Sequence, residues 1–178
     1  MSRPREPLPG KLIMSIFARD GSLIQEALAL CERKWGEAES KSGLLPFDFT
    51  DYYEPEFGTG LRRGFFAFKG LVPQDSLVEV KHDAWAMELA HSRDGKRLFN
   101  IDPGILTLER LVLATGKNYT HRIYLGRGVF GDLTLIFRKG SYQGLEWTYR
   151  DYLTQESISF WNKVRAAYRD ELKARGYF

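Results

Sequence analysis

A single cysteine, Cys31, in 178 residues excludes an intramolecular disulfide and a thiolate-rich metal cluster. On the helix that its neighbours predict, Cys31 reads as a small buried thiol. No run approaches the roughly 20 apolar residues of a membrane-spanning helix. The stretch Met1 to Gly10 holds three prolines and no apolar core for export, so it reads as a flexible arm rather than a signal peptide. A reducing cytoplasm is the expected compartment. Surplus charge is also scarce: 26 basic against 23 acidic residues leave a net charge of +3, well short of a dedicated nucleic-acid binder. A nucleic-acid partner therefore has little support. Gly-x-Ser-x-Gly, His-Glu-x-x-His and paired Cys-x-x-Cys motifs are all missing, which removes several hydrolase and metalloenzyme classes. No period of repeat length recurs, so a solenoid is excluded.

What is present suits one globular domain. Hydrophobic residues at 43% and charged residues at 28% allow a substantial core without disulfides. We expect an arm over residues 1–10 and a single α+β domain over residues 11–178. Lys11 to Ala18 is short and apolar, as a buried strand is. A helix follows, capped by Asp20 or Ser22, with Ile24, Ala27, Cys31 and Trp35 on one face and Gly36 as its stop. Glu37 to Leu45 and Leu61 to Val72 read as strands. Pro73-Gln74-Asp75-Ser76 opens a second helix with an apolar stripe of Leu77, Val80, Ala84 and Met87. Arg97 to Ile101 reads as a short strand ending in Asp102-Pro103-Gly104, which fits a type II turn. Leu106 to Gly116 carries helical spacing with Thr107 as N-cap, and a buried strand is the alternative. His121 to Leu125 and Val129 to Arg138 form a hairpin across Gly126-Arg127-Gly128. A closing helix starts at Thr154, with Ile158, Trp161, Val164, Tyr168 and Leu172 on one face. The order βαββαβ predicts a ferredoxin-like core, an antiparallel-rich sheet with helices on one face, extended by the hairpin and the closing helix.

Polar groups concentrate at the two ends of the Leu108 to Ala114 stretch. In Thr115-Gly116-Lys117-Asn118-Tyr119-Thr120-His121-Arg122, a glycine, clustered hydroxyls and three potential cations are the groups that hold a phosphate. Thr115, Lys117, Asn118, Thr120 and Arg122 are the candidate ligand-binding residues. A P-loop also requires Gly five residues ahead of its Gly-Lys pair and Ser or Thr after it. Here Leu111 and Asn118 occupy those positions, so this is no P-loop. The alternative is a helix C-cap with solvated cations. A second cluster, Asp48, Asp51, Glu54 and Glu56, offers oxygen ligands for a hard cation; Asp48 and Asp51 are the candidate metal ligands and Mg²⁺ the candidate ion. The competing reading is a turn in which these carboxylates cap local amides. Asp102 and His121 are the candidate proton carriers. His82 and His91 on the second helix read as surface residues. Trp147, Tyr149 and Tyr152 are able to stack on a base, although packing under the closing helix is the commoner role.

Phe47-Asp48-Phe49-Thr50-Asp51-Tyr52-Tyr53, Asp102-Pro103-Gly104, Leu111-Val112-Leu113-Ala114-Thr115 and His121-Arg122-Ile123-Tyr124-Leu125-Gly126 together resemble a prokaryotic family, domain of unknown function 4416. The resemblance runs from Lys11 to about Leu172. Where the family commonly has Glu-Met-Gly, this chain has Glu56-Phe57-Gly58, an exchange at an apolar position. The family implies no assigned activity or catalytic residues, and some members are labelled GTP-binding.

These readings lead to one expectation and one alternative. The expectation is a protein that binds a phosphorylated small molecule or nucleotide in a cleft formed by residues 48–56, 100–107 and 115–122. If it is an enzyme, phosphate-directed hydrolysis or transfer fits the groups present. The alternative is a non-catalytic module whose aromatics contact a protein or RNA. Oligomeric state is not legible.

Overall fold

The computed structural model describes residue 1 and residues 3–178. Strand β1 (Lys11–Ala18) is buried along its whole length, so it lies in the middle of the sheet. Helix α1 (Gly21–Trp35) begins where the Asp20 carboxylate accepts from the amides of Ser22 and Leu23, at 2.9 and 3.1 Å. It ends at Gly36, whose φ of 90° is open to glycine without cost. Two short strands, β2 (Ala38–Lys41) and β3 (Leu45–Pro46), precede a single helical turn α2 (Glu54–Phe57) and strand β4 (Arg62–Phe68). Helix α3 (Leu77–Ala90) leads through a small β5–β6 ribbon (Ser92–Arg93, Lys96–Arg97) into β7 (Phe99–Leu106). Strands β8 (Arg110–Thr115), β9 (Arg122–Gly126), β10 (Val129–Arg138) and β11 (Ser141–Gly144) follow. Helix α4 (Gln155–Ala174) closes the chain, capped by the Thr154 hydroxyl on the Ser157 amide.

Every pairing in the main sheet is antiparallel, and its path runs β11-β10-β8-β7-β1-β4-β2. Strand β3 also pairs with β4, and β9 with β10. Side chains that alternate along β1 sort into two cores. Leu12, Met14 and Ile16 pack with Ile24, Ala27 and Cys31 of α1 and Val80 and Ala84 of α3. Ile13 packs on the other face with Trp161, Val164, Tyr168 and Leu172 of α4. The expectation of helices on one face therefore holds for α1 and α3 but not for α4, whose apolar stripe covers the opposite face. Burial of four such large side chains contributes about 1.5–3 kcal/mol each. The entry to β1 is tied down by Gly10, which exchanges backbone hydrogen bonds with Val72 at 2.8 and 2.9 Å. Burial pushes the Cys31 thiol up to about 12, as expected of an inert core thiol.

Two local expectations fail for the same reason. Leu106 to Gly116 is not a helix: residues 110–115 form β8, held between β7 and β10. Asp102-Pro103-Gly104 is not a turn but the interior of β7, extended against β1 through the pairs Ser15–Asp102, Met14–Pro103 and Ile13–Gly104. Pairing with distant strands overrides the local preference in both places.

Candidate functional site

Strands β7 and β8 pair over three positions only: Leu106 with Leu111, Ile105 with Val112 and Gly104 with Leu113. Beyond Gly104, β7 remains paired to β1 as far as Phe99, while Ala114 and Thr115 of β8 stay with β10. The two central strands separate where Pro103 has no N–H to offer a neighbour. Opening a sheet in its middle orphans backbone groups, and an orphan in a dry interior is costly. Helix α3 resolves this at Ile101. Its N–H donates to Glu88 Oε1 at 2.6 Å, and its carbonyl accepts from Lys81 Nζ at 3.2 Å.

A cleft of about 440 Å³ occupies the fork and is lined from both faces of the sheet. Lys81, His82, Trp85 and Glu88 of α3 line it from one face. Tyr53, Arg63, Tyr149 and Tyr152 line it from the other. Asn100 and Asp102 of β7 and Leu113 to Thr115 of β8 form its two flanks.

Two polar chains hold these walls. In the first, Arg97 makes a two-pronged contact with Glu56 at 2.7 and 2.8 Å and reaches Glu88 at 2.9 Å and Asn100 at 2.8 Å. Asn100 donates to Asp102 at 2.8 Å, and Lys81 lies 3.3 Å from the same carboxylate. Glu88 is only 2% exposed. Burial raises its pKa against the opposing pull of Lys81, the Ile101 amide and Arg97. Glu56 moves the other way, held down chiefly by its hydrogen bonds from Arg97. In the second chain, Asp132 accepts from Arg122 Nε at 2.8 Å and lies 3.3 Å from His121 Nε2. Arg122 also donates to the Lys117 carbonyl at 3.1 Å and approaches the Tyr149 hydroxyl at 3.4 Å. Below both chains, buried Arg63 pairs with buried Asp151 and lies 3.8 Å over the Phe47 ring.

Among the described residues six cations line the cleft: Arg63, Lys81, Arg97, Lys117, Arg122 and Arg127. Five are ion-paired, to Asp151, Asp102, Glu56 with Glu88, Asp132 and Glu79 respectively. Among the described residues Lys117 has no carboxylate at salt-bridge distance. Its ammonium donates to the Tyr52 hydroxyl at 2.8 Å and lies 4.1 Å from that ring's centroid. That hydrogen bond lowers the pKa of Tyr52.

The residues singled out in the sequence divide between places. Asp102, Thr115, Lys117 and Arg122 line the cleft. His121 is not part of the lining; its ring stacks on Trp147 at 4.7 Å and touches the cleft wall through Asp132. Asn118 and Thr120 are exposed on the loop between Lys117 and Arg122. Asp48 and Asp51 border a separate depression of about 330 Å³ with Glu54 and Gly58 to Leu61. The 48–56 segment reaches the main cleft through Tyr53 instead. Among the described residues no group of three or more His, Cys, Asp or Glu side chains is arranged to hold a metal ion. Sequence reasoning missed Arg63, Lys81, Glu88 and Arg97. Lys81 and Glu88 are seven apart, two turns of one helix face, which was the available signal for that pair. Arg63 and Arg97 had none.

Fold and cleft together define a mixed α and β protein, with, among the described residues, four α-helices, an antiparallel sheet and a cation-rich cleft where its central strands part. The chain belongs to the family described as Domain of unknown function (DUF4416), whose model matches residues 8–168. No curated protein and no solved structure matches it. Among the described residues no helix is long and apolar enough to cross a membrane.

Proposed function

We propose that this protein binds a phosphorylated small molecule in the cleft between β7 and β8. The observation that carries the reading is Lys117, a cation in the lining whose charge no carboxylate neutralises. An anion placed there gains attraction without displacing a carboxylate, and the ammonium has N–H donors beyond the one on the Tyr52 hydroxyl. Arg122 stands beside it with its guanidinium held in place by Asp132, and the Thr115 hydroxyl lies 3.2 Å from the Lys117 amide. Asn118 and Thr120 are the outer donors of the same loop. The volume accommodates a nucleotide, and Trp85 and Tyr149 at the cleft edge supply flat surfaces for a base. If the ligand is hydrolysed or its phosphoryl group transferred, Asp102, which lines the cleft with Glu88 and Asp132, is the candidate to carry the proton, with His121 acting on the wall through Asp132. Asp48 and Asp51 belong to the neighbouring depression, and the reading does not depend on a metal there. The path β7-β1-β4-β2, with α1 and α3 on one face, supports a ferredoxin-like description of the core. A cytoplasmic location goes with this reading.

The test is a thermal-shift screen of paired compounds, each phosphorylated metabolite beside its dephosphorylated form, at millimolar concentration. Stabilisation by the phosphorylated member of a pair alone is the expected result. No shift across a broad panel would remove the proposal.

A further inference from the structure

Strand β9 differs from the sheet edges at β2 and β11. At β2, the outward Ala38 amide donates to the Glu32 carboxylate at 3.1 Å. At β11, the Tyr142 amide donates to Asn162 Oδ1 at 3.0 Å. Side chains thus cap those edges, a usual defence against unwanted strand pairing. Strand β9 pairs only with residues 129–132 of β10. Among the described residues no side chain caps the backbone of Ile123, Tyr124 or Leu125. Those three consecutive residues are 72%, 60% and 42% exposed, so the edge is apolar on both of its faces. Its side chains are nonetheless held. Tyr124 packs on Phe130 with ring centroids 5.2 Å apart, and its hydroxyl accepts from the Gly128 amide at 3.3 Å.

We propose that β9 is a dimerisation edge whose partner is β9 of a second copy of this chain, paired antiparallel about a two-fold axis at Tyr124. The sequence Arg122-Ile123-Tyr124-Leu125-Gly126 is self-complementary in that register. Tyr124 faces the partner's Tyr124, Ile123 faces the partner's Leu125, and Arg122 faces the partner's Gly126. Apolar side chains meet apolar ones, and no like charges within the strand are opposed, as cross-strand pairing requires. A two-fold axis demands this kind of self-complementary patch. Arg122 of β9 and Arg127 and Gly128 of the β9–β10 turn line the cleft, so the paired edge borders it.

Light scattering behind gel filtration at about 100 µM, a concentration suited to a micromolar Kd, should give about 41 kDa, twice the 20.5 kDa chain mass. The double variant Ile123→Lys/Leu125→Lys should return to the chain mass with an unchanged circular-dichroism spectrum, because both side chains are exposed. Directly opposed residues in an antiparallel pair have Cα atoms about 4.5–5.5 Å apart, within disulfide range. Tyr124→Cys should therefore crosslink under mild oxidation. Tyr119→Cys should not, since Tyr119 lies outside β9, across the turn closed by the Arg122 amide on its carbonyl. Native Cys31 is buried and does not compete. A monomeric wild type at that concentration overturns the proposal. A dimer that survives the lysine pair, or crosslinking no greater at 124 than at 119, overturns the assignment to β9.

Discussion

Gly104 faces Leu113 at the last rung of the β7–β8 ladder, and the cleft opens beyond that pair. A Cβ at position 104 would lie 2.8 Å from the Val112 carbonyl oxygen, 2.8 Å from Leu113 Cδ2 and 3.0 Å from Ile13 Cδ1. The carbonyl belongs to the paired backbone and has no room to yield. Gly104→Ala should therefore cost about 1–3 kcal/mol in urea unfolding, the range for overpacking a filled interior. Gly116→Ala is the control: nothing lies within 4 Å of its added Cβ, so its effect should stay within about 0.5 kcal/mol. Equal costs at the two sites would remove the close approach as the reason for glycine at 104.

Glu88 carries a pH signature. Burial raises its folded pKa above the ordinary value of 4.5, so the folded protein keeps this proton at pH values where the unfolded chain has lost it. Stability from this group is thus greatest below about 4.5, falls as pH rises through the window up to the raised value, and is level above it. Subtracting the stability of Glu88→Gln from that of wild type should reveal this slope, because glutamine removes the titration while retaining an acceptor for the Ile101 amide. A difference that rises with pH, or stays flat from pH 4.5 to 7.5, would contradict the buried-acid assignment.

Arg63 and Asp151 form a buried pair, and each keeps one atom, Nε and Oδ1, without a hydrogen-bond partner among the described residues. Asp151→Asn preserves the shape but leaves the guanidinium charge unopposed. The expected loss is about 3–5 kcal/mol, as for other buried pairs broken on one side. Replacing both residues, Arg63→Met with Asp151→Leu, should recover part of that loss. Denaturant midpoints for the wild type, the single and the double variant check both statements.

Much of the fold was legible because its signals are local. Asp20 and Gly36 bracket α1, Thr154 opens α4, and Gly126-Arg127-Gly128 turns the β9–β10 hairpin, each through the chemistry of adjacent residues. Residues 110–115 were ambiguous because spacings of three and four also place side chains on alternate faces of a strand at several positions. What decides them is pairing to β7 and β10, which sequence spacing does not report. Pro103 read as a turn for a similar reason: a proline in a central strand is tolerated here because the β8 ladder stops at Gly104. In the site, the Thr115 to Arg122 loop stood out because its cations are contiguous. Arg63, Lys81, Glu88 and Arg97 come from three stretches of chain, β4, α3 and β6, and the separation of β7 and β8 leaves the cleft that all four line.

The central claim is that the cleft holds an anion through Lys117, and inorganic pyrophosphate is a defined probe for it. Melting temperatures of wild type and Lys117→Met are compared with and without pyrophosphate, ionic strength being matched with chloride. At ten times its Kd a ligand specific for the folded state adds about 1.4 kcal/mol, a shift of about 3–6 °C for a chain of this size. The account predicts that shift in wild type and its loss in Lys117→Met, with the two proteins melting alike in chloride alone. Equal shifts in both proteins, or none in wild type, would contradict it.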